Sequence, residues 1–226
     1  MSNLKKDGKQ RWSPSYLRRQ GQATPRQKRA IREHWDQYGL EFSYGKKIDL
    51  ASAFESPDHL ILEIGFGMGD HLIHLAKENP GASILGIEVH KPGIGGVIAE
   101  LMEQAIDNVR IIRGDARLVM TDHLDGRCFD QVHIQCPDPW PKPEDAHRRL
   151  VQTDFILLLE KRMRPDGILH TITDVACYAE HISDVMANQE NWKSCPTLPD
   201  RLRTRYEQKG LDHNRDIHEQ SYRLLR

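Results

Sequence analysis

The chain has 226 residues, 38% hydrophobic and 29% charged, a balance that lets a core form without disulfide or metal staples. No apolar run approaches the ~18 residues of a membrane-spanning helix, and the first twenty residues carry six Lys or Arg with no apolar block, so no secretory signal is expected. Cys128, Cys136, Cys177 and Cys195 show neither paired spacing nor a metal pattern, so the sequence predicts a cytoplasmic protein with no metal and no membrane partner.

The net charge of −1 conceals a split. Residues 1–35 hold ten Lys or Arg against Asp7 and Glu33, giving +8, and the rest of the chain stands at −9. A basic leader on an acidic body suits a polyanionic partner and equally suits a solubilising tail. Residues 1–24 show no hydrophobic period and are read as a flexible basic arm, with one domain over 25–226.

Thr24 and Pro25 mark the start of a helix that runs to about Tyr38 and stops at Gly39. Leu60–Ile64 reads as a buried strand ending in a glycine turn, and Leu72, Leu75 and Ala76 as the apolar face of a helix halted before Pro80. A strand follows at Ile84–Glu88. Ile94, Val97, Ile98 and Leu101 fall at helical spacing, and further strands are predicted at Val109–Ile112, Gln131–Gln135 and Ile168–Thr173. Helices are predicted over Leu150–Met163 and along the Val175, Ala179, Ile182, Met186 face. The segments Arg203–Glu207 and Ser221–Arg226 are predicted to close the sheet as an antiparallel pair. The alternation gives an α/β fold, a mostly parallel Rossmann-like sheet with helices on both faces.

The turn Glu63-Ile64-Gly65-Phe66-Gly67-Met68-Gly69 sits between a strand and a helix, where a doubly wound sheet binds its ligand. Counted from Gly65, a dinucleotide fingerprint requires its third glycine where Asp70 stands. The neighbouring strand ends carry Glu63, Glu88, Asp115 and Asp138, and such a rim repels pyrophosphate. It suits S-adenosylmethionine, which has no phosphate and carries a sulfonium and an ammonium. In this reading Glu88 takes the ribose hydroxyls, Asp115 the adenine amine, and Glu63 the methionine ammonium, directly or through water.

Pro137-Asp138-Pro139-Trp140-Pro141-Lys142-Pro143 follows the fourth strand. Prolines in alternation push Asp138, Trp140 and Lys142 toward extended conformations, a stiff ribbon at the edge where the transferable methyl is expected. Trp140 reads as a base-stacking ring or as core. Asp174 reads as a base-gripping carboxylate or as the cap of the following helix. The histidines His71, His74, His90, His133, His170 and His181 show no ligand spacing and are read as surface or core.

These residues resemble the bacterial tRNA (guanine-N7)-methyltransferases over nearly the whole chain. The resemblance is carried by Leu17-Arg18-Arg19-Gln20-Gly21-Gln22, Glu63–Gly69, Gly86–His90, Gly114-Asp115-Ala116, Thr173-Asp174, and above all by Asp138–Lys142 and Thr204-Arg205-Tyr206-Glu207. It implies S-adenosylmethionine contacts at Glu63, Gly65, Gly67, Glu88, Asp115, Ala116 and Asp138, with Asp138 catalytic. It implies substrate contacts at Lys142, Asp174, Thr204, Arg205, Tyr206 and Glu207, a tRNA partner, and a monomer or homodimer. One departure stands out. The family's basic stretch K-x-R-H-x-K-R-R reads here Lys142-Pro143-Glu144-Asp145-Ala146-His147-Arg148-Arg149, a swing of about four charges toward acid in a loop expected to face phosphate. Weakened tRNA contact, or contact shifted to the basic arm, follows. Two other readings remain: an N-methyltransferase for a small purine-like heterocycle, and a non-catalytic binding derivative.

Overall fold

The computed structural model describes residues 14–16, 21–43, 45–55, 57–197 and 203–225. Most of the predicted basic arm, including Leu17 to Gln20, lies outside the described residues. Helix α1 (Pro25–Tyr38) opens with the expected Thr24 cap, in which Gln27 answers back to the Thr24 backbone, and a one-turn α2 (Leu50–Ala53) follows. The alternating unit then runs β1 (Leu60–Ile64), α3 (Asp70–Glu78), β2 (Ser83–Glu88), α4 (Lys91–Glu103), β3 (Val109–Arg113) and the short α5 (Ala116–Leu118). It continues with β4 (Phe129–Gln135), a 3-10 turn at Pro143–Arg148, α6 (Thr153–Glu160), β5 (Met163–Thr173), α7 (Ala176–Ala187), β6 (Trp192–Cys195), α8 (Arg205–Asp212) and β7 (His218–Leu224).

The seven strands lie in the order β3-β2-β1-β4-β5-β7-β6, parallel through β5 and antiparallel at β7 and β6. Because side chains alternate across a strand, β1 sends Leu60, Leu62 and Ile64 into a core under α5, α6 and α7, and Ile61 into a second core under α1, α3 and α4. The order reverses between β1 and β4, so the loops after β1, β2 and β4 open into one crevice.

Two boundaries differ from the sequence reading. β5 begins at Met163, pairing with Phe129 before the irregular stretch that restores register at Ile168, so the preceding helix ends at Glu160. The expected Arg203–Glu207 strand is the start of α8 instead. Thr204 Oγ1 accepts from the Glu207 amide (3.2 Å) and the Glu207 carboxylate accepts from the Thr204 amide (2.7 Å), a reciprocal cap that commits the segment to helix. The antiparallel closure exists, with β7 lying between β5 and β6.

The histidines judged scattered include a buried row. His71, His133 and His170 adjoin at ring-centroid distances of 5.3 and 5.4 Å, the first pair tilted and the second edge-to-face, flanked by Glu63 (3.1 Å from His71) and Glu219 (2.8 Å from His170). Strand register puts Glu63 opposite His133 and His133 opposite His170, and α3 brings His71 to the Glu63 end.

Asn108, just before β3, reaches the carbonyls of Ala76, Asn79 and Ala82 at 3.0 to 3.2 Å, tying the end of α3 to the start of β2. Asn108→Ala removes this tie without adding a charge. Urea unfolding should show a loss of about 1–3 kcal/mol, and Asn108→Asp should lose more because its carboxylate meets three acceptors. Wild-type stability in both variants would exclude this role.

Candidate active site

The turn after β1 is built around Gly65 and Gly67, whose φ values of +74° and +58° lie in the left-handed region that glycine enters freely. A Cβ at either position would meet no atom within 4 Å, so both backbones border open space. The α4 helix presses against the back of the turn. At Gly93 a Cβ would stand 1.8 Å from the Gly67 carbonyl oxygen.

The carboxylate of Glu88 joins this turn to the end of β2. One oxygen accepts from the Gly67 amide (2.8 Å), the other from Val89 (2.6 Å) and His90 (2.8 Å). Asp115, two residues past β3, caps α5 through Arg117 and Leu118 at 2.9 and 3.3 Å. Glu63 is 2% exposed beside His71, whereas Asp138 is half-buried. All four acids, with Gly65, Gly67 and Ala116, line one cavity of about 790 Å³, inside the range of small-molecule sites.

Other walls were not singled out from sequence. Ile31 and Trp35 of α1, Phe42, and Ser15 and Tyr16 close the cavity from the side preceding β1. The i, i+4 spacing of Ile31 and Trp35 was the available signal, but helical periodicity says only that a face is buried, not what it faces.

The substrate candidates divide. Thr204 and Arg205 border the cavity, and Arg205 pairs with Asp70 at the first turn of α3 (2.8 Å). Among the described residues walling the cavity, Lys142, Asp174 and Glu207 do not figure. Lys142 is exposed, Asp174 is held by Arg215, and Glu207 is buried in the α8 cap. The side chain of Tyr206 lies outside the described residues.

Of the two readings of Trp140, the structure supports the packed one. The indole is 7% exposed and donates from Nε1 to the Ser15 carbonyl (2.9 Å), and the Arg148 guanidinium lies 3.3 Å from the ring centroid. Trp140 also departs from the extended conformation expected before proline, with φ +44°. Arg148 and Arg149, the two cations that survive in the departed loop, are therefore engaged within the protein. Arg149 is buried against Tyr178, whose hydroxyl is pushed up to about 12 by complete burial and stays protonated. Glu144 is exposed on the same turn.

The family described as putative methyltransferase matches residues 57–220. The tRNA (guanine-N(7)-)-methyltransferase of Nitrosococcus oceani is 37% identical over 206 residues, covering 90% of this chain and 87% of the relative. This chain belongs to the tRNA (guanine-N(7)-)-methyltransferase family. The relative from Halorhodospira halophila is 35% identical, covering 95% of this chain and 96% of its own. The fold matches the 16S rRNA methyltransferase KamB with a TM-score of 0.55 at 14% identity, covering 83% of this chain and all of that one. TrmN from Thermus thermophilus matches with a TM-score of 0.53 at 12% identity, covering 78% of this chain and 47% of that one. Among the described residues, no helix is long and apolar enough to cross a membrane, and no group of three His, Cys, Asp or Glu side chains is arranged to hold a metal ion.

The reciprocal cap gives Thr204 a role separable from any contact with a substrate. Thr204→Ser should keep the stability of the wild type, whereas Thr204→Ala should lose about 1 kcal/mol in denaturant titration. Equal stability of the Ala variant would show that the cap contributes nothing.

Proposed function

We propose that the chain transfers a methyl group from S-adenosylmethionine to N7 of a guanine in tRNA, with Asp138 at the reacting edge. The observation that carries the reading is the cavity itself: the carboxylates of Glu63, Glu88, Asp115 and Asp138 and an open two-glycine turn around one space, with Lys91, Arg113 and Arg205 also at its wall. The relatives named for the same activity over nearly their full lengths support it.

The residues present fit this cofactor. Glu88 and Asp115 offer acceptors to ribose hydroxyls and an adenine amine, while Gly65 and Gly67 let a ligand approach the backbone. The acidic rim favours a cation and disfavours phosphate. S-adenosylmethionine supplies an electrophilic methyl, whose transfer forms the N7–carbon bond as the sulfur–carbon bond breaks and moves one positive charge onto the purine.

Guanine N7 carries an in-plane lone pair and no proton, so the protein needs no general base. Its task is to hold the base in line, exclude water and stabilise the cationic ring. Asp138 suits this at the end of β4, where its carboxylate can accept from guanine N1–H and the exocyclic amine. Thr204 and Arg205 border the same space. The exposed cations Lys28 and Arg29 of α1 continue the basic leader beside the Ile31 and Trp35 wall and suit a polyanion.

One observation favours a second reading. Glu144 and Asp145 stand in the stretch that the family resemblance leads one to expect basic, Arg149 is buried and Arg148 lies over the Trp140 ring beside Asp145, so the loop offers little to phosphate. A small purine-like heterocycle needs no such loop.

Incubation of the protein with labelled cofactor and unmodified tRNA, followed by nucleoside digestion, distinguishes the readings. Label in 7-methylguanosine is expected. Label absent from tRNA and present in a free purine supports the second reading and overturns the first. Asp138→Ala should lower turnover by about 10²-fold or more with the fold retained, and Glu88→Ala should weaken cofactor binding by about 10-fold or more in calorimetry. Wild-type values in these variants would remove the two carboxylates from their roles.

A further inference from the structure

Arg149 ends the 3-10 turn after the proline ribbon and is 7% exposed. Its Nε donates to the Pro139 carbonyl at 3.0 Å, one terminal nitrogen to the Trp140 carbonyl at 3.4 Å, and the other to the Cys177 carbonyl at 3.3 Å. The guanidinium lies 5.2 Å from the Tyr178 ring centroid. Pro139 and Trp140 directly follow Asp138, and Cys177 is the second residue of α7. One buried side chain thus fastens the loop carrying Asp138 to the helix that follows β5.

We infer that Arg149 is a positioning residue: it acts through the ribbon backbone to set where the Asp138 carboxylate stands at the cavity. The inference rests on the proposed methyl transfer, in which Asp138 aims the base. Counted from sequence, Arg149 was one of two cations left to face phosphate, but burial and three carbonyl acceptors give it an internal task. The planar fork matters here, because it holds several acceptors in fixed directions. A lysine has the charge but presents its donors from a single point. Loops carry no ladder of their own to fix a side chain within the fraction of an ångström that transfer requires, so the clamp supplies the constraint.

The test is steady-state kinetics on Arg149→Lys and Arg149→Ala with saturating tRNA and cofactor, beside calorimetric cofactor affinity and circular dichroism melting. The expected result is a kcat about 10²-fold below wild type in both variants, with the KM for tRNA and the cofactor affinity close to wild type. Methylguanidinium added to the Ala variant should recover part of the lost kcat. Wild-type kcat in Arg149→Lys overturns the inference. So does activity that falls only in step with the folded fraction and does not respond to methylguanidinium. The wild-type control separates the two levels: a wild type that leaves tRNA guanine N7 unlabelled overturns the proposed function, whereas a labelling wild type matched by its variants overturns only the positioning role.

Discussion

The carboxylate of Glu88 draws three backbone amides onto itself, and one of them belongs to the neighbouring glycine turn. This charge-assisted contact ties the ends of β1 and β2 together at the edge where the crevice opens. A carboxylate here both shapes the turn and gives the crevice its negative character. Replacement by a neutral side chain would remove the brace and the charge together. Glu63, Asp115 and Asp138 extend the same logic along the edge, each delivered by the loop or last residues of a parallel strand.

Much of this arrangement was legible from sequence because it depends on short-range signals. The β1, β2, β3 and β4 strands are apolar runs bounded by turns, and acids at their ends share one edge once the strands are parallel. Thr24 announced α1 because a cap is a local event. The Thr204-to-Glu207 spacing carried the same kind of signal, and its reading as a strand overlooked it. The histidine row was not legible. His71, His133 and His170 are far apart in the chain, and it takes the pairing of β1, β4 and β5 together with the packing of α3 to bring them into one row.

The proline ribbon shows where motif and role part company. Asp138 reaches the cavity, yet Trp140, two residues on, turns into the protein and pairs with Arg148 and with the Ser15 backbone. Indole burial is favourable and its N–H needs a partner, so the segment preceding α1 is drawn against the ribbon. Sequence could count the cations of this loop but not their direction. Two arginines that count as free cations in the sequence are held by a ring and by carbonyls.

The central claim is that the edge is built for a phosphate-free nucleoside cofactor rather than a dinucleotide. A crystal soaked with S-adenosylhomocysteine, the demethylated form of the donor, tests it most directly. The account predicts an adenosine lying against the Gly65–Gly67 turn with its ribose hydroxyls on Glu88. A turn left bare at saturating ligand, or one that takes up a dinucleotide with its phosphates on those glycine amides, would contradict it.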